Sequence, residues 1–193
     1  MVSGGGRGSI CEPAGAPVLR DLRSSDREAL REILAGAGNF NAAEQSVAME
    51  LVDFSLTEPL RDDYRFVVAD QALRPVGYAC YGKASLSDGT YDMYWVVVDR
   101  DWRRHGIGTL LVEYCEDQVR QLHGRSLLVE TSSRPGYEGT IAFYRRRQYE
   151  VLAQLRDYYS AGDDKFILGK YFSVQEAVIR NSASVDGIYV KEV

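Results

Sequence analysis

Two glycines, Gly106 and Gly108, follow the run Asp99-Arg100-Asp101-Trp102-Arg103-Arg104-His105 and open a segment whose apolar residues recur at helical spacing. Glycines at such a start let backbone amides point outward without interference from a Cβ. Those amides, with the positive end of the helix dipole, suit a pyrophosphate. Arg100, Arg103 and Arg104 add fixed positive charge beside them. A dinucleotide fingerprint, G-x-G-x-x-G directly after a strand with an acidic residue about 20 positions on, is the competing reading. Glu130 lies at a suitable distance. Leu111 occupies the third glycine position, however, and seven residues separate Val98 from Gly106, too many for that tight turn.

Other chemistries are excluded by residue counts. Three cysteines (Cys11, Cys80, Cys115) and two histidines (His105, His123) are too few and too scattered for a disulfide framework or a zinc site, so no metal is expected. Cys115 lies on an apolar helical stripe, where a buried thiol is the ordinary case. Net charge is −5 over 193 residues, which gives no general attraction to nucleic acid. Arg145–Arg147 with Arg100, Arg103 and Arg104 form the only dense basic cluster, and its convergence on the glycine loop suits phosphates rather than a nucleic-acid platform.

The elements that must hold this loop follow from periodicity. Residues 1–16 are rich in Gly, Pro and Ala and read as a flexible lead. Strands are expected at 17–23, 64–70, 74–82, 89–98, 125–131, 151–159 and 165–172. Ser25–Glu28 reads as a capping box for a helix through Leu34, and Asn41–Glu44 as a second cap for a helix through Phe54. A long helix begins near Gly106, a short one covers 138–147, and 173–193 reads as a helix-and-strand extension capped at Ser173. The order β-α-α-β-β-β-α-β-α-β-β implies an α+β domain over 17–172 with a mixed sheet, not a doubly wound parallel one. With 45% hydrophobic residues, no apolar run of membrane-spanning length and no signal-like h-region, a reduced cytoplasmic protein without membrane contact is expected.

Arg103-Arg104-His105-Gly106-Ile107-Gly108 matches the [R/Q]-x-x-G-x-[G/A] signature of the GNAT superfamily of N-acetyltransferases, in that family's strand–loop–helix setting. The resemblance runs from about Pro17 to Phe172, because the element order fits as well. It implies a mostly antiparallel sheet of six to seven strands, helices on both faces, and a splay between the fourth and fifth strands into which acetyl-CoA enters. The backbone of Val96, Val97 and Val98 would pair with the pantetheine arm, and amides of Arg103, Arg104, His105, Gly106, Ile107, Gly108 and Thr109 would hold the pyrophosphate.

Phe143-Tyr144-Arg145-Arg146-Arg147-Gln148-Tyr149 resembles the second family motif, F-Y-x-x-x-G-[F/Y], with Gln148 at the glycine position and Tyr137 where an asparagine is common. The resemblance makes Tyr144 the acid that protonates the departing thiolate, a transfer between groups of comparable basicity. Asp92 resembles the position of the catalytic glutamate in the histone acetyltransferase branch. Its neighbours Tyr91, Met93, Tyr94 and Trp95 would raise a carboxylate pKa by desolvation. A water chain anchored by Glu130 or Glu44 is the alternative base.

The acceptor is expected at a lining drawn from Phe40, Asn41, Glu44, Tyr78, Tyr81, Tyr91, Tyr94, Tyr158 and Tyr159, aromatic and mildly acidic, which suits a cationic amine. Within that set Phe40, Asn41, Glu44, Tyr94 and Tyr158 are the foremost candidates. The expected reaction moves acetyl from acetyl-CoA to a primary amine of a small molecule by direct attack. The stretch Tyr158–Lys165 resembles a loop of ribosomal-protein and N-terminal acetyltransferases, which keeps a peptide N-terminus as the alternative; a non-catalytic sensor of CoA thioesters is the third reading. A homodimer, with the tail adding a strand to a partner, is also compatible with the sequence.

Overall fold

Alternating and continuous apolar runs become seven strands in a computed structural model that describes residues 16–59 and 61–172. The strands are β1 (Val18–Arg20), β2 (Arg65–Gln71), β3 (Arg74–Lys83), β4 (Thr90–Val98), β5 (Ser126–Ser132), β6 (Glu150–Ser160) and β7 (Asp163–Tyr171). The helices are α1 (Arg27–Gly36), α2 (Ala42–Thr57), α3 (Ile107–Gln121) and α4 (Glu138–Arg145). The sheet order is β1-β2-β3-β4-β5-β7-β6, and only β4 and β5 run parallel. The lead at 1–15, Cys11, and the extension at 173–193 with its Ser173 cap lie outside the described residues.

Each face of the sheet carries its own core. On one, Ile107, Leu111, Cys115 and Val119 of α3 and Tyr144 of α4 pack on Val67, Met93, Leu127 and Val129. On the other, Leu30 and Leu34 of α1 and Ala48 and Val52 of α2 pack on Phe66, Val68, Tyr78 and Val97. The expected cap of α2 is present: Asn41 Oδ1 accepts from Glu44 N at 2.9 Å and Glu44 Oε2 accepts from Asn41 N at 2.7 Å.

The cap expected for α1 is corrected. Asp26, not Ser25, accepts from the Arg23 amide (2.8 Å), while Glu28 pairs with Arg31. The first strand shrinks from 17–23 to Val18–Arg20 because the Arg20 fork turns to Asp26 and Asp70 as the chain leaves the sheet. The five-residue turn expected at 160–164 tightens to Ala161-Gly162, with Ser160 paired to Asp163 and Gly162 at φ +82°.

One irregularity shapes the centre. Cys80 pairs with Trp95 but Tyr81 with Met93, so Tyr94 is an extra residue in β4. The bulge reverses the alternation. Tyr91 and Met93 face α3, whereas Trp95 and Val97 face α1 and α2. At the same point β4 leaves β5, whose pairing covers only Thr90–Met93 against Ser126–Val129. This is the expected splay. It opens because β4 stays tied to β3 and β5 to β7 while the two diverge.

Candidate active site

The glycine loop sits at the end of the diverging strand. Asp99 caps a short turn over Arg100–Trp102 by accepting from the Asp101 amide (2.9 Å). The chain then reaches Gly106 with Arg104 at φ +63° and Gly106 at φ +82°. The first intrahelical bond joins Leu110 N to Gly106 O (3.0 Å), which leaves the amides of Ile107, Gly108 and Thr109 without helical partners. Three outward amides at a helix N-terminus fit a pyrophosphate. After Met93, the β4 backbone groups on the β5 side have no strand partner and fit an extended amide-bearing arm. Both observations match what coenzyme A presents.

Not every expected contributor is free for phosphate. Arg103 donates to the Ala37 carbonyl (2.6 Å) and ties the loop to the end of α1. Arg147 turns inward, stacks on the Phe143 ring at 3.6 Å, and bonds the Thr109 hydroxyl and the Phe143 carbonyl. Arg145–Arg147 is therefore not one patch: burial holds the Arg147 guanidinium below its usual pKa while Arg145 and Arg146 stay exposed. The His105 ring is exposed, with Nδ1 on the Arg103 carbonyl (2.9 Å). Ile107 and Val97 are buried, so only their backbones can serve a ligand. Gly106→Ala would place a Cβ in open space but at a left-handed φ. The strain is about 1 kcal/mol, so the KM for acetyl-CoA should rise several-fold with little change in kcat, read from steady-state rates.

A cavity of about 420 Å³ occupies the splay. Asn39 and Phe40 come to it from the α1–α2 connection, Glu44 from the first turn of α2, Asp92 to Val96 from β4, Leu128 to Ser132 from β5, Tyr159 from β6, and Tyr137, Thr140 and Tyr144 from the α4 side. The two candidate catalytic residues reach it from opposite faces. Tyr144 belongs to the α3 face with Met93 and Val129. Asp92 alternates with Tyr91 and Met93 and so points to the α1–α2 side. Burial, then the charge of Glu130, raises the Asp92 pKa, with Lys165 opposing. Burial also pushes the Tyr144 phenol above its ordinary value, so it stays protonated as a donor requires.

Several lining expectations need correction. Asn41 is spent on the α2 cap, and its neighbour Asn39 lines the cavity instead. Tyr158 lies outside, exposed with Lys165 over its ring (4.5 Å), and Tyr159 takes its place, because adjacent strand residues point to opposite faces. Tyr78, Tyr81 and Tyr91 are core residues. Cys80 and Cys115 are buried thiols whose pKa burial pushes up, which disfavours the thiolate an acyl carrier needs.

Other residues were not anticipated. Arg134, on the β5–α4 connection, donates to the Asn39 carbonyl (2.9 Å), to Glu44 Oε2 (2.9 Å) and to Tyr137 Oη (3.1 Å), while Tyr137 donates to the Asn39 carbonyl (2.8 Å). This strap holds the α1–α2 connection over the cavity. Tyr137 thus serves as its second anchor. Lys165 pairs with Glu130 at 2.5 Å, and Glu130 holds its ammonium above the usual pKa against the lowering effect of burial. Arg134 lies 90 residues from Glu44 and Lys165 lies 35 from Glu130, so no local pattern marks either pair.

The family model described as Acetyltransferase (GNAT) family matches residues 27–149. Among solved structures, a GNAT-family protein from Desulfovibrio desulfuricans is 36% identical, with 81% of this chain and 99% of that chain covered and a TM-score of 0.78. The ribosomal-protein-S18-alanine N-acetyltransferase from Escherichia coli shares the fold at 19% identity, covering 81% and 94%, with a TM-score of 0.65. An aminoglycoside 6'-N-acetyltransferase complexed with coenzyme A does so at 16% identity, covering 80% and 96%, with a TM-score of 0.62. A comparison with curated proteins returned no match.

Proposed function

The chain belongs to the GNAT acetyltransferase family, and from that premise we propose that it moves the acetyl group of acetyl-CoA to a primary amine of a small molecule by direct attack in a ternary complex. The observation that carries this reading is the splay itself, with a carboxylate of raised pKa on one face and a buried phenol on the other. Acetyl-CoA supplies the thioester. The amides of Ile107, Gly108 and Thr109 would hold its pyrophosphate, and the open edge of β4 from Val96 to Val98 its arm.

Asp92 takes a proton from the acceptor's ammonium on the α1–α2 side, leaving a neutral nucleophile. The C–N bond forms as the C–S bond breaks, Tyr144 delivers a proton to the departing sulfur from the α3 side, and the second proton, shed by the acetylated nitrogen, passes through water to restore the phenol. The entry of Tyr159 alone, without Tyr158, favours a small acceptor over a peptide backbone held by both tyrosines. The test is release of CoA thiol from acetyl-CoA against a panel of small amines and short peptides; turnover of peptides alone would replace this reading with the peptide one.

The pH dependence follows from Asp92. A base must be ionised, so kcat/KM should fall tenfold per pH unit below its pKa, which lies above the ordinary carboxylate value. That acid limb should stay in place when amines of different basicity are compared. Asp92→Asn should abolish it and lower kcat/KM by about 100-fold. A limb that moves with the amine's own pKa would remove Asp92 from the base role.

A further inference from the structure

A buried ammonium stands on the sheet face of Asp92, beside a cavity that must admit an amine. Lys165 is 8% exposed, and its Nζ lies 2.5 Å from Glu130 Oε2. Unmatched, such a cation would repel an acceptor's ammonium and keep a nearby carboxylate ionised to low pH, where it is a poor base.

The sheet register orders the three groups. Leu128 is the β5 partner of Asp92, and Glu130 is the next residue on that face, since Leu127 and Val129 face α3. Glu130 pairs in turn with Ile167 of β7, and Lys165 follows Ile167 on the same face, since Phe166 and Leu168 face α3. Asp92, Glu130 and Lys165 thus share one face of three neighbouring strands, β4, β5 and β7, with Glu130 between the other two. Glu130 stands one strand over and two residues along from Asp92, about 8 Å between backbones in a regular sheet. Lys165 stands a strand further away. Charge interactions weaken with separation, so the nearer carboxylate outweighs the ammonium that it holds. The directions at Asp92 agree: burial raises its pKa first, Glu130 raises it next, and Lys165 lowers it.

The other groups around Asp92 leave this balance in place. β3 presents Gly82 opposite it. Burial pushes the phenols of Tyr94, Tyr137, Tyr144 and Tyr159 above their ordinary values, so none is charged near neutral pH. Glu44 of α2 is matched by Arg134, and Asp63, whose carbonyl packs on Gly82, by Arg61.

We propose, on the acetyltransferase reading above, that Glu130 and Lys165 are positioning residues that act through Asp92: a carboxylate–ammonium pair across β5 and β7 whose imbalance sets the pH at which the base becomes competent. The pair also hides the Lys165 charge from an incoming ammonium.

The test titrates Asp92 directly, in the full chain carrying 13C-carboxyl aspartate, with the resonance identified by its loss in Asp92→Asn. Glu130→Gln leaves the ammonium unopposed and should lower the Asp92 pKa by about 0.5–1 unit. Lys165→Met leaves the carboxylate unopposed and should raise it by a similar amount. Lys165→Arg keeps the charge and should stay near wild type, as should the double variant that removes both charges. With whichever primary amine of the panel is turned over, the acid limb of kcat/KM should move by the same amounts in the same directions. A loss of packing alone would not move the two single variants in opposite directions.

An Asp92 pKa unmoved by either substitution, or moved the same way by both, would overturn the proposal. So would an acid limb that survives Asp92→Asn and vanishes in Glu130→Gln, which would make Glu130 itself the base. Opposite shifts of the Asp92 resonance with no CoA release from any amine would sink the enzymatic reading and uphold the coupling.

Discussion

Tyr144→Phe is expected to lower kcat by about 100-fold or more while leaving the Kd for acetyl-CoA within about twofold, the loss typical of a general acid. The Tyr144 ring makes T-shaped contacts with Phe143 and Tyr149, each at 5.1 Å between centroids, so it is fixed on two sides by packing that phenylalanine preserves. The substitution therefore removes a proton source without opening a cavity. Burial keeps the phenol neutral well into the alkaline range, which makes it a donor at any pH where the acceptor amine is competent. Rapid-quench turnover and acetyl-CoA titration read the two quantities separately. Unchanged kcat would return Tyr144 to the role of a core residue. A Kd raised in step with the loss of rate would make it a cofactor contact instead.

Arg20→Leu is expected to cost about 3–5 kcal/mol, the range for breaking a buried ionic cluster by removing one partner. Its guanidinium bonds Asp70 through Nε (2.6 Å) and Nη2 (2.8 Å), and Asp26 through Nη1 (2.6 Å) and Nη2 (2.9 Å). The Asp26 side chain is 4% exposed, so after the substitution two carboxylates face one another with little water to screen them. At about 2–4 °C per kcal/mol for a chain of this size, the melting temperature should drop by about 6–20 °C. The same change at Arg27, whose pair with Asp53 is nearly half exposed, should leave melting almost unchanged. Equal losses at the two positions would mean that the Arg20 cluster is no better shielded than a surface pair. Because the cluster joins β1 to β2 and to the start of α1, hydrogen exchange should loosen there before the splay is affected.

The amino-acid pattern by itself determined the order of elements, the strand–loop–helix around Gly106 and Gly108, the cap of α2 at Asn41–Glu44 and the positions of Tyr144 and Asp92. Helical periodicity, strand runs and N-caps are interactions within about four residues, and glycine's freedom at φ +82° is a property of one residue, so all of these are written locally. The same locality misplaced the cap of α1, since Ser25 and Glu28 are as good on paper as the Arg23–Asp26 pair that formed. Only the tertiary structure decided which residues face the cavity. The extra residue Tyr94 reverses the alternation of β4 and so turns Trp95 toward the acceptor side, and no count along the strand reveals a bulge set by pairing with β3. Tyr159 rather than Tyr158 lines the site by one residue's shift, and Asn39 lines it rather than Asn41 because Asn41 is taken by the α2 cap. The neutralising partners Arg134 and Lys165 meet Glu44 and Glu130 only when distant segments close on one another. Which charge remains on Asp92 is therefore a sum over pairs made in space, and a chain order carries the groups without the distances that decide it.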